Sequence, residues 1–389
     1  MIPCPKVWVY ELAPPLQDLD PKRGAFGPPI ELEGAHGRQG WFRDTSQYAL
    51  TAILARRLVD SHRCRASTPE AADLFFVPVL ARPKTAREIA ARCAAISEAA
   101  LEAALPHLSP ATAHRHFLSM GKGHYHCNAS WWRRPTGLLS RAVRLAYSFT
   151  LDPTDAATRR LLADEDEHYG PVLAAAPGEY PNLWSVPYPS SVHWPPSHGD
   201  GATHDPTRAL NARSTFALFM GSLAHGDVPV RREIQRQCGS AARAAAPERA
   251  RGCTLSPGDN ASQLVAKARS IFCLEPGGDS PFRKSLSDSI AFGCIPVLFS
   301  NLTDAVAPWF WGAWRHEARV LVPRAPFVAG QIDLLALLRQ YAAPHTLGPM
   351  QRTLARRKKA FQFSLGDDEG DAVDVLLRGV LAASRDLAP

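Results

Sequence analysis

The chain has 389 residues, of which 46% are hydrophobic and 21% charged, and its formal net charge is +7. This length exceeds one ordinary hydrophobic core and predicts two domains of common size. The composition is that of a globular protein, and the positive charge suits an anionic ligand such as a nucleotide. The basic residues form no stripe with interleaved aromatics, so we expect no nucleic-acid partner. The densest basic run, residues 352–359, has helical spacing and is predicted to be a solvated helix face.

The first half of the chain alternates short apolar segments with segments of helical spacing. Strands are predicted at residues 7–10, 74–77, 116–119 and 182–187, and helices at 46–58 and 86–105. Residues 74–77, Leu-Phe-Phe-Val, are apolar at every position, which is typical of a parallel-sheet strand covered on both faces. The stretch 193–208 is rich in Pro, His and Gly and is the predicted interdomain linker.

A second alternating set follows this linker. Strands are predicted at residues 215–220, 271–274 and 295–299, and helices at 230–237, 261–268, 281–292, 331–341, 349–361 and 370–382. Two halves of this kind predict two Rossmann-like α/β domains. We place them at residues 1–192 and 211–389, with a linker at 193–210, and expect the last helix to pack back on the first domain.

The eight cysteines include no CxxC pair, so we expect no zinc site. Cys238 and Cys253 flank a short loop, and the sequence is equally compatible with a local disulfide and with two free thiols. Cys273 and Cys294 lie in apolar surroundings and are predicted to be buried small hydrophobic residues.

The location of the protein is addressed by three weak signals. No stretch approaches the ~20 apolar residues of a transmembrane helix, and the first residues lack the basic start and apolar run of a signal peptide. Sequons at Asn128, Asn260 and Asn301 permit a secretory location. Because entry into that pathway needs a signal, we expect an upstream segment that this sequence does not include.

Residues 271–299 carry the most chemical information. Gly277 and Gly278 follow a predicted strand and allow a tight turn close to a ligand. Asp279 or Ser280 is predicted to cap the helix 281–292, and Gly293 is predicted to end it. The whole is a βαβ unit of the expected ~30 residues. Its loop lies at the carboxyl end of a strand, where open α/β sheets bind ligands.

The start of this helix is predicted to bind an anion, because free backbone N–H groups and the helix dipole meet there. Arg283 and Lys284 add positive charge that opposes the dipole, and a bound anion would compensate it. The other interpretation is that both side chains point into water. Asp288, one turn further, is expected either to pair with Lys284 or to accept hydrogen bonds from a ribose or sugar hydroxyl.

The same segment resembles the donor-side signature of the exostosin-like glycosyltransferases of family 47, particularly the plant xyloglucan galactosyltransferase branch. The matching positions are Cys273-Leu274, Pro276, Gly278-Asp279-Ser280, Arg283-Lys284, Asp288 and Gly293-Cys294-Ile295-Pro296-Val297. Residues 7–15, 73–78, 121–124 and 186–189 resemble further family segments. The similarity therefore extends over about residues 5–365.

This resemblance implies a GT-B architecture, in which two Rossmann-like domains face each other across a cleft. It implies an inverting transfer from a UDP-sugar (UDP-galactose, UDP-glucuronate or UDP-arabinose) to a polysaccharide or glycoprotein glycan. It also implies a Golgi-lumen setting and association with other glycosyltransferases. The alternative is a catalytically inactive member that acts as a glycan-binding or transferase-complex scaffold, because Thr51 and Ser287 depart from the family pattern.

Residue roles follow from the resemblance. The nucleotide-sugar-binding candidates are Arg231, Gly278, Asp279, Ser280, Arg283, Lys284 and Asp288. Because Arg, Lys and the helix dipole suffice to stabilise a leaving diphosphate, we expect no metal and no cofactor.

The base that helps the acceptor hydroxyl attack is less well defined. His124 and Glu11 are the candidates, against the simpler roles of ordering a loop and capping a turn. Trp131 and Trp132 are expected in the core, with exposed stacking on an acceptor sugar as the alternative.

Overall fold

Two five-stranded sheets, both parallel, organise the chain, one in each half. The computed structural model describes residues 4–13, 16, 25–32, 41–60, 63–79, 86–120, 127–147, 169, 182–194, 213–241, 253–256 and 260–388. The first sheet has the order β1-β2-β3-β4-β5, with strands Val7–Val9, Leu74–Val77, His116–Ser119, Val143–Ala146 and Leu183–Ser185. The second has the order β10-β9-β8-β6-β7, with β6 Thr215–Met220, β7 Cys253–Ser256, β8 Ser270–Glu275, β9 Ile295–Leu298 and β10 Val320–Leu321.

The helices alternate with these strands. Those of the first half are α1 Leu50–Asp60, α2 Ala86–Ala94, α3 Glu98–Ala103 and α4 Ser130–Arg133. Those of the second half are α5 Val228–Ala241, α6 Asn260–Ala268, α7 Lys284–Phe292, α8 Leu302–Ala305, α9 Pro308–Trp311, α10 Arg315–Ala318, α11 Arg324–Val328, α12 Leu334–Tyr341, α13 Pro344–Arg357 and α14 Ala372–Asp386. No helix of the described chain is long and apolar enough to cross a membrane.

The parallel sheets predicted from the apolar runs are confirmed. Every residue of β2, β3 and β9 is buried, as expected of strands covered on both faces. The sequence did not reveal β4, β7 and β10. The fully buried Arg144 interrupts the apolar run of β4, and β10 has only two residues, so neither gives a periodic signal.

The helix after β8 differs from its prediction at one end. It begins at Lys284, three residues later than predicted, and its N-cap residue Arg283 makes no capping hydrogen bond with its side chain. The prediction that Asp279 or Ser280 caps this helix is therefore wrong, because both lie in the loop before it. Its predicted end is confirmed, since Gly293 has the left-handed conformation with φ of 66°.

All eight cysteines are paired in disulfides. The pairs are Cys4–Cys64, Cys93–Cys127, Cys238–Cys253 and Cys273–Cys294. Cys273 and Cys294 are buried as predicted, but they are not free hydrophobic residues. The sequence missed this pair because β8 and β9 become neighbours only in the sheet, where the two Cα atoms lie 5.8 Å apart.

The last helix, α14, contacts the first half of the chain. Arg57 of α1 forms a buried ion pair with Asp371 at 2.7 Å, and Arg63 pairs with Asp374 at 2.9 Å. His193, at the start of the predicted linker, is also buried, whereas residues 195–210 of that linker lie outside the described chain.

The tryptophan pair in α4 is buried, whereas the basic residues of α13 are exposed. Trp131 and Trp132 are both fully buried, which agrees with a core role and excludes the exposed stacking pair. Arg352, Arg356 and Arg357 of α13 are exposed, as expected of a solvated helix face.

Candidate anion-binding site at the end of strand β8

An open cavity of about 160 Å³ lies at the carboxyl end of β8. Its walls come from both halves of the chain, because Gln47 just before α1 contributes to the lining. The other lining residues belong to the second half and are Met220, Arg231, Glu275, Pro276, Gly277, Arg283, Lys284 and Ser285. The cavity therefore lies where open parallel sheets bind ligands, at the junction of the two halves.

Glycines allow two loops to pack closely together beside this cavity. Gly277 has φ of 74° and no room for a Cβ, which would collide with the Tyr169 hydroxyl. Gly226, with φ of 77°, approaches Gly278 so closely that a Cβ would lie 2.7 Å from its Cα. The loop before α5 therefore packs directly on the loop after β8, and Arg231 in the first turn of α5 is brought to the cavity.

Arg231 holds both loops and retains an unused donor. Its two terminal nitrogens donate to the carbonyl oxygens of Ser222 and Gly277. Its Nε is buried and has no hydrogen-bond partner within the described chain. Burial lowers the pKa of Arg231, and the nearby charge of Arg283 acts in the same direction. An anion in the cavity would offset the repulsion between the two guanidinium groups.

Arg283 and Lys284 flank the same cavity but are engaged differently. The guanidinium of Arg283 lies against Gly278, where a Cβ would be 2.9 Å from the Arg283 Cδ. Its ion pair with the largely exposed Asp279 is long, at 3.5 Å. Lys284 instead donates at 2.6 Å to Ser191 Oγ and at 3.0 Å to Asp288 Oδ2. Arg283 is thus the less committed of these two cations.

Asp288 joins α7 to the first half of the chain. Its Oδ1 accepts hydrogen bonds from the Ser190 hydroxyl at 2.7 Å and from the Ser191 N–H at 2.8 Å. Its Oδ2 accepts from Lys284, so the pairing along the helix face is the arrangement that the structure contains. Asp288 thereby holds Ser190 and Ser191 against α7, the helix that begins at the cavity.

The predicted loop contacts fall outside the cavity wall. The Gly278 N–H donates to the Ser280 carbonyl oxygen, and the buried Ser280 hydroxyl donates to the Phe282 carbonyl oxygen. Asp279 is exposed. Arg231, Arg283 and Lys284 are therefore the predicted binding residues that the structure brings together.

Neither predicted base lies in the wall of this cavity. Glu11 is exposed after β1 and is not among the lining residues. His124 lies outside the described residues.

Sequence reasoning missed a buried ionic network behind the cavity. Lys267 near the end of α6 donates to Glu275 Oε1 at 2.8 Å, to Ser285 Oγ at 2.9 Å and to Ser289 Oγ at 2.6 Å. Glu275 is the last residue of β8, directly before the glycine loop. A charged residue at this position could have been recognised from the sequence as a candidate site residue. Lys267 gave no such signal, since its partners follow it by eight to 22 residues.

Comparison with known proteins gives this site a family context. The Exostosin GT47 domain matches residues 3–304. The "Probable xyloglucan galactosyltransferase GT17" of Arabidopsis thaliana is 27% identical over 282 residues, which cover 69% of this chain and 55% of that protein. The "Xyloglucan-specific galacturonosyltransferase 1" of the same plant is 28% identical over 300 residues, which cover 75% of this chain and 40% of that protein. The chain spans about half the length of these relatives.

A solved structure, the pneumococcal O-GlcNAc transferase GtfA in complex with UDP and GlcNAc, aligns with 70% of this chain and 57% of its own. Its sequence identity is 9% and its TM-score 0.35, an overlap too low to support an argument. The family model covers more than half of the chain and includes the loop after β8. With two parallel α/β sheets and a cavity at their junction, the chain has a GT-B type architecture and belongs to the exostosin GT47 family.

Proposed function

We propose that this chain is an inverting glycosyltransferase that moves a sugar from a UDP-sugar to a polysaccharide or glycoprotein glycan. The observation that carries the proposal is the presence of two guanidinium groups, those of Arg231 and Arg283, in the wall of one cavity at the carboxyl end of β8. The names of the Arabidopsis relatives, which refer to galactosyl and galacturonosyl transfer on xyloglucan, support the reaction class. Inversion follows the family resemblance.

In this proposal the diphosphate of the donor binds between Arg231, Arg283 and the start of α7. These positive groups and the helix dipole are in place before the reaction, so they stabilise the charge that develops on the leaving diphosphate. The acceptor approaches from the first half of the chain, where Gln47 lines the cavity. A base must take the proton of the attacking hydroxyl, and His124 and Glu11 remain the candidates.

We also propose a Golgi-lumen location. The pairing of all eight cysteines supports an oxidising compartment, since disulfides persist there and are rare in the cytosol. Free-thiol titration of the protein purified without reductant tests this, and several reactive thiols in the native protein would contradict it.

UDP affinity is the first test of the proposed site. We expect Arg231→Met and Arg283→Ala each to weaken UDP binding about tenfold or more, because each removes a charge-assisted contact worth roughly 1.5–3 kcal/mol. Calorimetric titration measures the affinity, and Arg352→Ala, which removes an exposed arginine on α13, is the matched control. Unchanged UDP affinity in both site variants would refute the phosphate assignment.

Turnover separates the enzyme from a scaffold. Release of UDP is assayed with UDP-galactose, UDP-glucuronate and UDP-arabinose in the presence of xyloglucan oligosaccharides. Transfer with any of these donors, lost in Arg283→Ala, supports the proposal. UDP binding without turnover for any donor and acceptor would favour the inactive, glycan-binding alternative.

A further inference from the structure

Glu275 places one carboxylate in the wall of the cavity. It is the last residue of β8, lies next to the Pro276-Gly277 turn, and is 6% exposed. Its Oε1 accepts hydrogen bonds from Lys267, Ser285 and Ser289. No hydrogen bond from the described residues reaches its other oxygen, Oε2, and this oxygen remains available to a ligand.

Lys267 pairs with Glu275 but offers no group to the cavity. The Lys267 Nζ and Glu275 Oε1 are 2.8 Å apart, and both side chains are almost fully buried. All three donors of the ammonium are used, by Glu275, Ser285 and Ser289. Lys267 therefore offers no hydrogen bond to a bound molecule.

The remaining charges leave two cations for a ligand. Lys284 is paired with Asp288 and also donates to Ser191, so most of its charge is already compensated. Arg231 donates to two carbonyl oxygens, which leave its charge uncompensated, and Arg283 has only the long contact to the exposed Asp279. Two guanidinium groups balance the two ionised phosphates of a nucleotide diphosphate sugar. A third negative charge on the donor would find no unpaired cation in the described wall, and Glu275 would offer it an acceptor oxygen where it needs a donor.

We propose that Glu275 makes this site selective for a donor with a neutral sugar and against a donor with a uronic acid. This inference rests on the proposed function, that is, on a UDP-sugar bound with its diphosphate at Arg231 and Arg283. Hydroxyl groups of a neutral sugar donate to Glu275 Oε2, whereas a uronate carboxylate has only acceptors and forms no hydrogen bond with that oxygen. Of the donors implied by the family resemblance, galactose and arabinose fit, and glucuronate does not.

The experiment compares the affinities of UDP, UDP-galactose and UDP-galacturonate for the wild-type protein and for Glu275→Gln. We expect the wild-type protein to bind UDP-galactose at least about tenfold more tightly than UDP-galacturonate, and the variant to narrow that ratio severalfold. We expect the variant to change the relative affinities for the two UDP-sugars. Its affinity for UDP itself should stay within about threefold of wild type.

Glu275→Gln leaves the buried charge of Lys267 unpaired, which can destabilise the fold. The double variant Lys267→Met/Glu275→Gln removes both charges together and keeps the test valid if the single variant does not fold. Its ratio of UDP-galactose affinity to UDP-galacturonate affinity is expected to narrow in the same way. Arg283→Ala is the opposite control, because it should weaken all three ligands alike.

The outcomes separate the two proposals. A wild-type protein that binds UDP but holds the uronate donor as tightly as the neutral one overturns the inference and leaves the proposed function standing. If both Glu275 variants keep the wild-type ratio of UDP-galactose affinity to UDP-galacturonate affinity, the inference is likewise overturned and the proposed function still stands. A wild-type protein that binds none of the three ligands overturns the proposed function, and the inference with it.

Discussion

Two histidines, His193 and His116, lie in the protein interior, where burial favours their neutral form. His193 Nδ1 lies 2.7 Å from the Phe363 carbonyl oxygen, which only accepts, so Nδ1 carries the proton and donates. Its Nε2 lies 2.8 Å from the Thr45 hydroxyl. His116 Nδ1 likewise donates to the Thr112 carbonyl oxygen, and its Nε2 lies 2.9 Å from the Tyr10 hydroxyl. Burial lowers the pKa of each imidazole to about 4.

These histidines predict that the protein loses stability as the pH falls. Below the ordinary pKa of 6.5 the unfolded chain takes up a proton at each site, whereas the native protein does so only near pH 4. The free energy of unfolding should therefore decline between about pH 6.5 and pH 4, by on the order of 3 kcal/mol for each histidine. Denaturant titrations across this range measure the decline.

The variant that isolates one site is His193→Gln, which removes one titrating group and should flatten the pH dependence. His345, an exposed histidine at the start of α13, provides the control His345→Gln, which should leave the slope as in wild type. Equal slopes for wild type and His193→Gln would contradict the assignment.

At the scale of elements, three faces of helix α7 contact three different parts of the molecule. Leu286 and Ile290 enter the core, Ser285 and Ser289 bind the Lys267–Glu275 network, and Lys284 with Asp288 fastens the segment before residue 194. These contacts hold α7 from three sides. They therefore also fix the position of its first turn, which lines the cavity. Its end is equally constrained, since Gly293 is left-handed and packs against Arg213.

Gly293→Ala should lower the free energy of unfolding by about 1 kcal/mol or more, because a Cβ is strained at this φ. It would also lie 3.3 Å from the Arg213 Nη2, which is a tight contact. The matched control is Gly239→Ala inside α5, where a Cβ meets nothing within 4 Å. That substitution should stabilise by about 0.5–1 kcal/mol. Denaturant unfolding of both variants checks the opposite signs, and a neutral Gly293→Ala would refute the argument.

On the scale of the whole molecule, the C-terminal segment holds the two halves together. Asp371 caps α14 and pairs with the buried Arg57 of α1, while Gln362 exchanges hydrogen bonds with the backbone of Trp194. Trp184 of β5 stacks on Trp309 of α9 with ring centroids 4.9 Å apart. The main hydrophobic cluster accordingly contains residues of both sheets.

Arg57→Met should destabilise the protein by about 3–5 kcal/mol, because it leaves the Asp371 carboxylate buried without its partner. Its neighbour Arg56 pairs with Asp60 on the exposed face of α1, so Arg56→Met should cost at most about 1 kcal/mol. Thermal unfolding compares the two. Limited proteolysis should release the segment that contains α14 only in Arg57→Met, and equal stability of the two variants would contradict this role.

The sequence by itself determined the parallel α/β class and the local part of the site. Fully apolar strands and the strand–glycine–helix order are properties of contiguous residues, and so are Arg283, Lys284 and the left-handed Gly293. Local signals did not reveal β4, whose buried Arg144 breaks its apolar run, nor did they fix the start of α7.

Only the tertiary structure decided the partners of the charged groups and of the cysteines. Asp288 meets Ser190 across 98 positions of the chain, and Arg57 meets Asp371 across 314. The Cys273–Cys294 disulfide and the Lys267–Glu275 pair likewise exist because neighbouring elements stack in the second half. A buried charge or thiol takes its chemistry from what surrounds it, and those surroundings come from residues that are distant in the sequence.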